Sequence, residues 1–284
     1  MYCIFTNDNN VEIELLKNHS FSDMFSRRNN HEVIFRRIHS YLIKKNIIRK
    51  NIIDLGAWIG DNSIPWAKQI EGIIYAIDPS PENISFINEM CELNNIKNII
   101  TFQKAISDKN EVLYTNDNLN HCSFNNINGN TVANAYSLDN LYNTKLIDNI
   151  GYIHLDVEGL EEKVIKGSSL IIDTFRPIIT FEQHLTIDNY KYLSSYLSNK
   201  NYIVYLINEI LSGCNFDCRN LIAFPKEFNI DIEDIHNHLN QKILLLISEQ
   251  QKQDSTFSAT IYGDCFVPKQ YHNIMSISLL FHDL

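Results

Sequence analysis

Four acids close apolar runs in this chain: Asp54 in "NIID", Asp78 in "GIIYAID", Asp156 in "YIHLD" and Glu182 in "IITFE". A short apolar run bounded in this way reads as a buried strand. In open α/β sheets, ligands bind just beyond the carboxyl ends of the strands. Carboxylates placed there can do three things. They accept hydrogen bonds from sugar hydroxyls, at about 1.5–3 kcal/mol for each charge-assisted bond. They take a proton from a reacting hydroxyl. They hold a cation that acidifies such a hydroxyl.

The loop after the first of these acids narrows the choice. It reads "DLGAWIGDNS". Gly56 and Gly60 permit tight turning and close backbone approach. A dinucleotide needs Gly-x-Gly-x-x-Gly to seat its pyrophosphate, and here Trp58 stands in the middle of Gly56-x-x-x-Gly60. There is no Gly-Lys-Ser/Thr and hence no P-loop. A phosphate-free adenosine ligand fits, and S-adenosylmethionine is the expected cofactor.

The expected cofactor set is Asp54, Gly56, Ala57, Trp58, Gly60, Asn62, Ser63, Asp78, Ala105 and Ile106. Several of these have a second, structural explanation. Asp54 either orients the methionine end or caps the glycine loop. Asn62 and Ser63 either bind the methionine carboxylate at a helix start or cap that helix. Ala105 and Ile106 either flank the adenine or fill the core. Asp78 is assigned to the ribose, because Ser80 is already available to cap the next helix.

Asp156 is the expected catalytic carboxylate. It takes the acceptor's proton or ligates a metal, with helix capping as the alternative. Glu158 and Glu161 begin a helix, where charge–dipole attraction of about 0.3–1 kcal/mol explains them adequately. Glu182 and His184 could act as base and orienter, and a surface histidine is the plainer account of His184. His154 alternates with Ile153 and Leu155, so a packed strand histidine is expected there. Cys214 and Cys218 are close in sequence, but no second pair completes a zinc spacing. Reduced thiols and no metal are expected.

These residues need a scaffold. The apolar stripe of "HEVIFRRIHSYLIKKN" predicts a helix over 31–46. The chain then alternates strands with helices at 61–69, after Ser80-Pro81, at 160–166 and at 188–200. That alternation is the pattern of a parallel sheet covered on both faces. "YIVYLIN" and "RNLIAFP" have no helix between them, which predicts an edge hairpin. Residues 115–135, rich in Asn, Gly and Ser, read as a long loop that could cover a substrate. Residues 232–246 read as one amphipathic helix.

"DLGAWIGDNS", "AIDPSPEN", "AISD" and "IHLDVEGLEEKVIKGS" occur in order. Together they resemble the FkbM family of S-adenosylmethionine-dependent methyltransferases over about 51–225. The signature around Asp156 to Gly167 is the most specific part. The resemblance implies a class I methyltransferase (Rossmann-like) fold: a mostly parallel sheet, helices on both faces and an antiparallel last strand. It also implies O-methylation, often of sugar hydroxyls, and it gives Glu158 a functional role beside its dipole role. Trp58 departs from the family's usual Asn, so its indole either packs on the cofactor or shields the loop.

Bulk properties agree. The 284 residues carry a formal net charge of -10, which disfavours a broad nucleic-acid footprint. No apolar run reaches the ~18 residues of a transmembrane helix, and no signal peptide is apparent. The expected protein is cytoplasmic, with a small-molecule or glycan acceptor and neither nucleic-acid nor membrane partners. The alternatives are an RNA ribose methyltransferase, against which the acidic charge and the absence of Lys at Phe181-Glu182-Gln183 stand, and a non-catalytic S-adenosylmethionine-binding scaffold. Pairing of two copies through the terminal helices is compatible with the sequence. The expected organisation is a helical N-terminal extension at 1–50, a methyltransferase domain at 51–225 and a C-terminal extension at 226–284.

Overall fold

The chain opens with a hairpin. β1 (Tyr2–Thr6) and β2 (Glu12–Leu16) pair antiparallel. In β2, Ile13 and Leu15 are buried while their neighbours are more exposed, the period-two alternation of a half-buried strand. The structure, a computed structural model, describes residues 2–28, 31–119, 123–124, 129–185, 190–211, 214, 218–240 and 243–247. It divides into two units, one of Met1–Ser26 and Ser40–Phe181, the other of Arg27–His39 and Glu182–Leu284.

Helices α1 (Ser20–Arg27) and α2 (Val33–Lys44) follow the hairpin. The first unit then runs β3 (Asn51–Leu55), α3 (Ser63–Ala67), β4 (Ile74–Asp78), α4 (Pro81–Leu93) and β5 (Ile99–Gln103). Next come β6 (Ala105–Ile106), β7 (Glu111–Thr115), β8 (Thr131–Tyr136), α5 (Leu138–Asn143) and β9 (Ile150–Leu155). Helices α6 (Glu161–Lys166) and α7 (Ser169–Phe175) lead to β10 (Ile178–His184), whose last three residues belong to the second unit.

The strands order as β10-β9-β3-β4-β5, all parallel. The chain moves outward from β3 through β4 to β5, and outward the other way from β9 to β10. The reversal lies between β3 and β9, which is where such sheets open a ligand crevice. Ile52, Ile53 and Leu55 of β3 are fully buried, as are Ile74 and Ala76 of β4. Each large apolar side chain so placed contributes about 1.5–3 kcal/mol. A separate small sheet has the order β6-β8-β7.

The second unit contains α8 (Tyr190–Asn199), β11 (Tyr202–Ile207), β12 (Cys218–Pro225), α9 (Ile232–Leu239) and β13 (Leu244–Leu246). β11 pairs antiparallel with β12 and with β13. The α/β class, the mostly parallel sheet and the late antiparallel pair all match the sequence expectation.

Other expectations are corrected. Residues 1–50 are not wholly helical, because the β1–β2 hairpin precedes the helices. Residues 131–136 form a strand whose Ala133 and Ala135 face inward; small residues alternate too weakly to announce it. Helix α3 spans five residues rather than 61–69. The helix expected over 232–246 stops at Asn240, which takes the left-handed C-cap conformation, and Leu244–Leu246 pair with β11 instead. His121, in the loop expected to cover the substrate, and residues 248–284 lie outside the described residues, as do 188–189 of the helix expected over 188–200.

Candidate active site

The first unit brings the ends of β3, β4 and β9 together. Gly56 adopts φ +72°, a conformation glycine reaches without Cβ strain. Its N–H and that of Ala57 both donate to the Ile77 carbonyl, at 3.0 and 3.1 Å. Trp58 has φ +45° and its N–H donates to Asp78 Oδ2 at 2.9 Å. A bulky residue in the left-handed region costs on the order of 1–3 kcal/mol, and the Asp78 bond helps hold it there. The loop after β3 is thus sewn along the end of β4.

Asp78 is 5% exposed. Its Oδ1 accepts from the Ser80 N–H at 2.8 Å and from the Asn83 side chain at 3.0 Å. Burial pushes its pKa up to about 7, against the lowering by these donors. Ser80 does cap α4, accepting from the Asn83 N–H, and Asp78 supports the same turn. Asp78 therefore supports the turn that starts α4, and its Oδ2 retains capacity for one more donor beside Trp58.

Asp54 is buried among protein partners. Ser63 Oγ donates to its Oδ2 at 2.5 Å, and His154 donates through Nδ1 to its Oδ1 at 2.8 Å. His154 is in turn packed edge-on against Trp66. Asp54 thereby ties β3 to β9 and to the first residue of α3. His154 is packed as expected, but its link to Asp54 was not foreseen, since nothing local signals a partner a hundred residues away. Asn62, at the N-cap of α3, makes no side-chain cap bond and is 6% exposed. Gly60 takes φ +75° against Ile64 and Ile87. Ala105 and Ile106 are buried on β6, paired with Ala135 and Tyr136.

Asp156 is half-buried just beyond β9, and its N–H donates to the Leu55 carbonyl at 3.0 Å. Glu158 is exposed at φ +51°. The turn between them is held by Glu161, whose Oε1 accepts from the N–H of Val157 and of Gly159 at 3.1 and 3.3 Å. Burial raises the Glu161 pKa to about 7. Its role as the clamp of this loop exceeds the helix-dipole role read from sequence. An open cleft of about 410 Å³ lies at the start of α4, lined by Pro81, Glu82, Asn116, Asp117, Asn118, Leu119 and Thr131.

Glu182 and His184 belong to the second unit, whereas Asp156 and Glu158 belong to the first. They stand with two thiols. Cys218 Sγ donates to Glu182 Oε1 at 2.7 Å, and Cys214 Sγ is 3.9 Å from His184 Nε2. The neighbouring Cys214, burial and the Glu182 carboxylate all push the Cys218 thiol pKa well up.

The family model for the methyltransferase FkbM domain matches residues 54–204, more than half of the 284 residues. No curated protein matches the chain. Among solved structures, it resembles the methyltransferase FkbM of Methylobacillus flagellatus at 16% identity and TM-score 0.46, over 62% of this chain and 44% of that one. The chain thus spans less than half the length of that protein. A putative methyltransferase from Streptococcus mutans in complex with SAH is similar at 11% identity and TM-score 0.43, over 66% and 95% of the two chains. An rRNA methylase from Streptococcus thermophilus is similar at 8% identity and TM-score 0.44, over 66% and 94%. Among the described residues, no helix is long and apolar enough to cross a membrane. On the match over residues 54–204, the chain belongs to the FkbM family of S-adenosylmethionine-dependent methyltransferases.

Proposed function

We propose that this chain methylates a hydroxyl group on a sugar or glycan precursor. The observation that carries the proposal is the position of Asp156, half-buried at the end of β9 and joined through its N–H to the end of β3 at the sheet's reversal point. A carboxylate there is suited to accept the proton that an attacking hydroxyl must lose.

The residues present fit the family's cofactor. Oδ2 of Asp78 has capacity for a ribose hydroxyl beside the Trp58 N–H. The turn at Gly56 leaves no room for a side chain against the Asp156 backbone. Asp54 and Ser63 stiffen the start of α3 rather than present a free carboxylate and hydroxyl, since Ser63 is committed to Asp54, and Asn62 at the N-cap position is assigned to the methionine carboxylate. Ala57 and Trp58 belong to the same turn, and Ala105 and Ile106, buried on β6, are assigned to the floor of the adenine site. S-adenosylmethionine supplies an electrophilic methyl group when bound. Asp156 holds the acceptor hydroxyl and takes its proton, and Glu158, exposed on the same turn, orients the acceptor. The polar lining of the cleft at Glu82, Asn116, Asp117 and Asn118 suits a polyhydroxylated acceptor, and the net charge of -10 argues against a phosphate-rich one.

The test begins with calorimetric titration of S-adenosylhomocysteine into the wild type and Asp78→Ala. Micromolar binding lost in the variant supports the cofactor site. Acceptors follow: free sugars, nucleotide sugars and an RNA fragment. Absence of S-adenosylhomocysteine binding to the wild type overturns the proposal. Methylation of the RNA fragment and not of sugars overturns its substrate part.

A further inference from the structure

Glu182 and His184 are two residues apart on β10, so they project from one face of the strand. Cys218 opens β12, and Cys214 lies four residues before it. His184, Cys214 and Cys218 each place a ligand atom within 4.8 Å of the other two. In a tetrahedral zinc site with bonds of about 2.0–2.3 Å, ligand atoms stand roughly 3.3–3.8 Å apart. The 3.9 Å between Cys214 Sγ and His184 Nε2 is within a small side-chain adjustment of that spacing.

We propose that His184, Cys214 and Cys218 form a zinc site in the second unit. Two thiols and an imidazole favour zinc over the hard cations magnesium and calcium, which prefer oxygen donors. Two S–H bonds break and two thiolate–zinc bonds form on binding. Both protons end in solvent, as metal binding to thiols requires. Three protein ligands leave the fourth position to water. The site is independent of the methyl-transfer proposal and gives His184 a metal-binding task in place of the orienting task its sequence suggests. It also revises the reading of Cys214 and Cys218 as plain thiols. Their missing partners are not a second cysteine pair but a strand residue some thirty positions earlier.

The experiment uses the full chain, purified with reducing agent and without chelator, and measures bound metal by plasma mass spectrometry. Stoichiometric zinc is expected. The zinc-stripped chain titrated with cobalt should develop a thiolate-to-cobalt charge-transfer band and the strong visible bands of tetrahedral cobalt. Cys214→Ser should lose both. Circular dichroism checks that the variant is folded. Should Cys214→Ser fail to fold, thiol modification of the wild type with a chromogenic zinc indicator reads zinc release directly. A wild type without zinc whose cobalt complex lacks the charge-transfer band overturns the site, as does recovery of a Cys214–Cys218 disulfide in place of metal.

Discussion

A Cβ built on Gly56 would stand 1.7 Å from the carbonyl oxygen of Asp156. The loops after β3 and β9 therefore touch backbone to backbone, and the residue at 56 must be glycine both for its φ of +72° and for its missing side chain. Gly56→Ala should separate the two strand ends. A destabilisation of about 4 kcal/mol or more is expected, the range reserved for severe backbone conflicts, together with loss of S-adenosylhomocysteine binding. Urea denaturation and calorimetry measure the two; a variant with wild-type stability would show that the loops can part without cost.

Asp78 carries a pKa raised to about 7, chiefly by burial. Ribose hydroxyls donate to the ionised carboxylate, so affinity should follow its ionisation. The dissociation constant for S-adenosylhomocysteine should fall by about tenfold between pH 6 and pH 8. Asp78→Asn should bind more weakly and show a flat profile. Equal slopes in both proteins would remove Asp78 from the ribose site.

Glu209 is buried and accepts from the N–H of Ile34 and of Phe35 at 3.0 and 3.1 Å. Burial raises its pKa to about 7. A raised folded-state value means the folded chain holds the proton more tightly than the unfolded one. The resulting stability is complete below the unfolded value near 4.5 and is lost as pH rises to about 7. Glu161 and Asp78 act in the same sense. His31, whose pKa is lowered mainly by burial, acts in the opposite sense below 6.5. Comparison with Glu209→Gln isolates the first effect. The wild type should lose roughly 2.4 kcal/mol relative to the variant between pH 5 and pH 7.5, read from urea midpoints. A constant difference would mean that Glu209 stays ionised.

Asp156→Asn keeps the size of the side chain and removes its basicity. With a working acceptor, kcat should fall by about 10²–10⁴-fold, while the affinity for S-adenosylhomocysteine stays within a factor of about three. Near-normal turnover would assign the proton to another group.

Local chemistry was legible in the chain. The apolar runs ending in Asp54, Asp78 and Asp156 are strands, and Ser80 and Pro81 start α4. The antiparallel pairing of β11 with β12 follows from two strand patterns with no helix between them. These signals involve residues a few positions apart, where periodicity and capping act. What remained hidden depends on contacts between distant positions. His154 meets Asp54 because β9 lies beside β3, and sequence order alone does not say which strands become neighbours. Glu161 clamps the turn at Val157 and Gly159 because its side chain is buried, and burial is set by the whole fold. Leu244–Leu246 carry a helical spacing, yet an αL residue at Asn240 and an open edge on β11 make them a strand. Cys214 and Cys218 looked incomplete as ligands for the same reason: their partner His184 comes from another strand, and tertiary structure alone brings the three together.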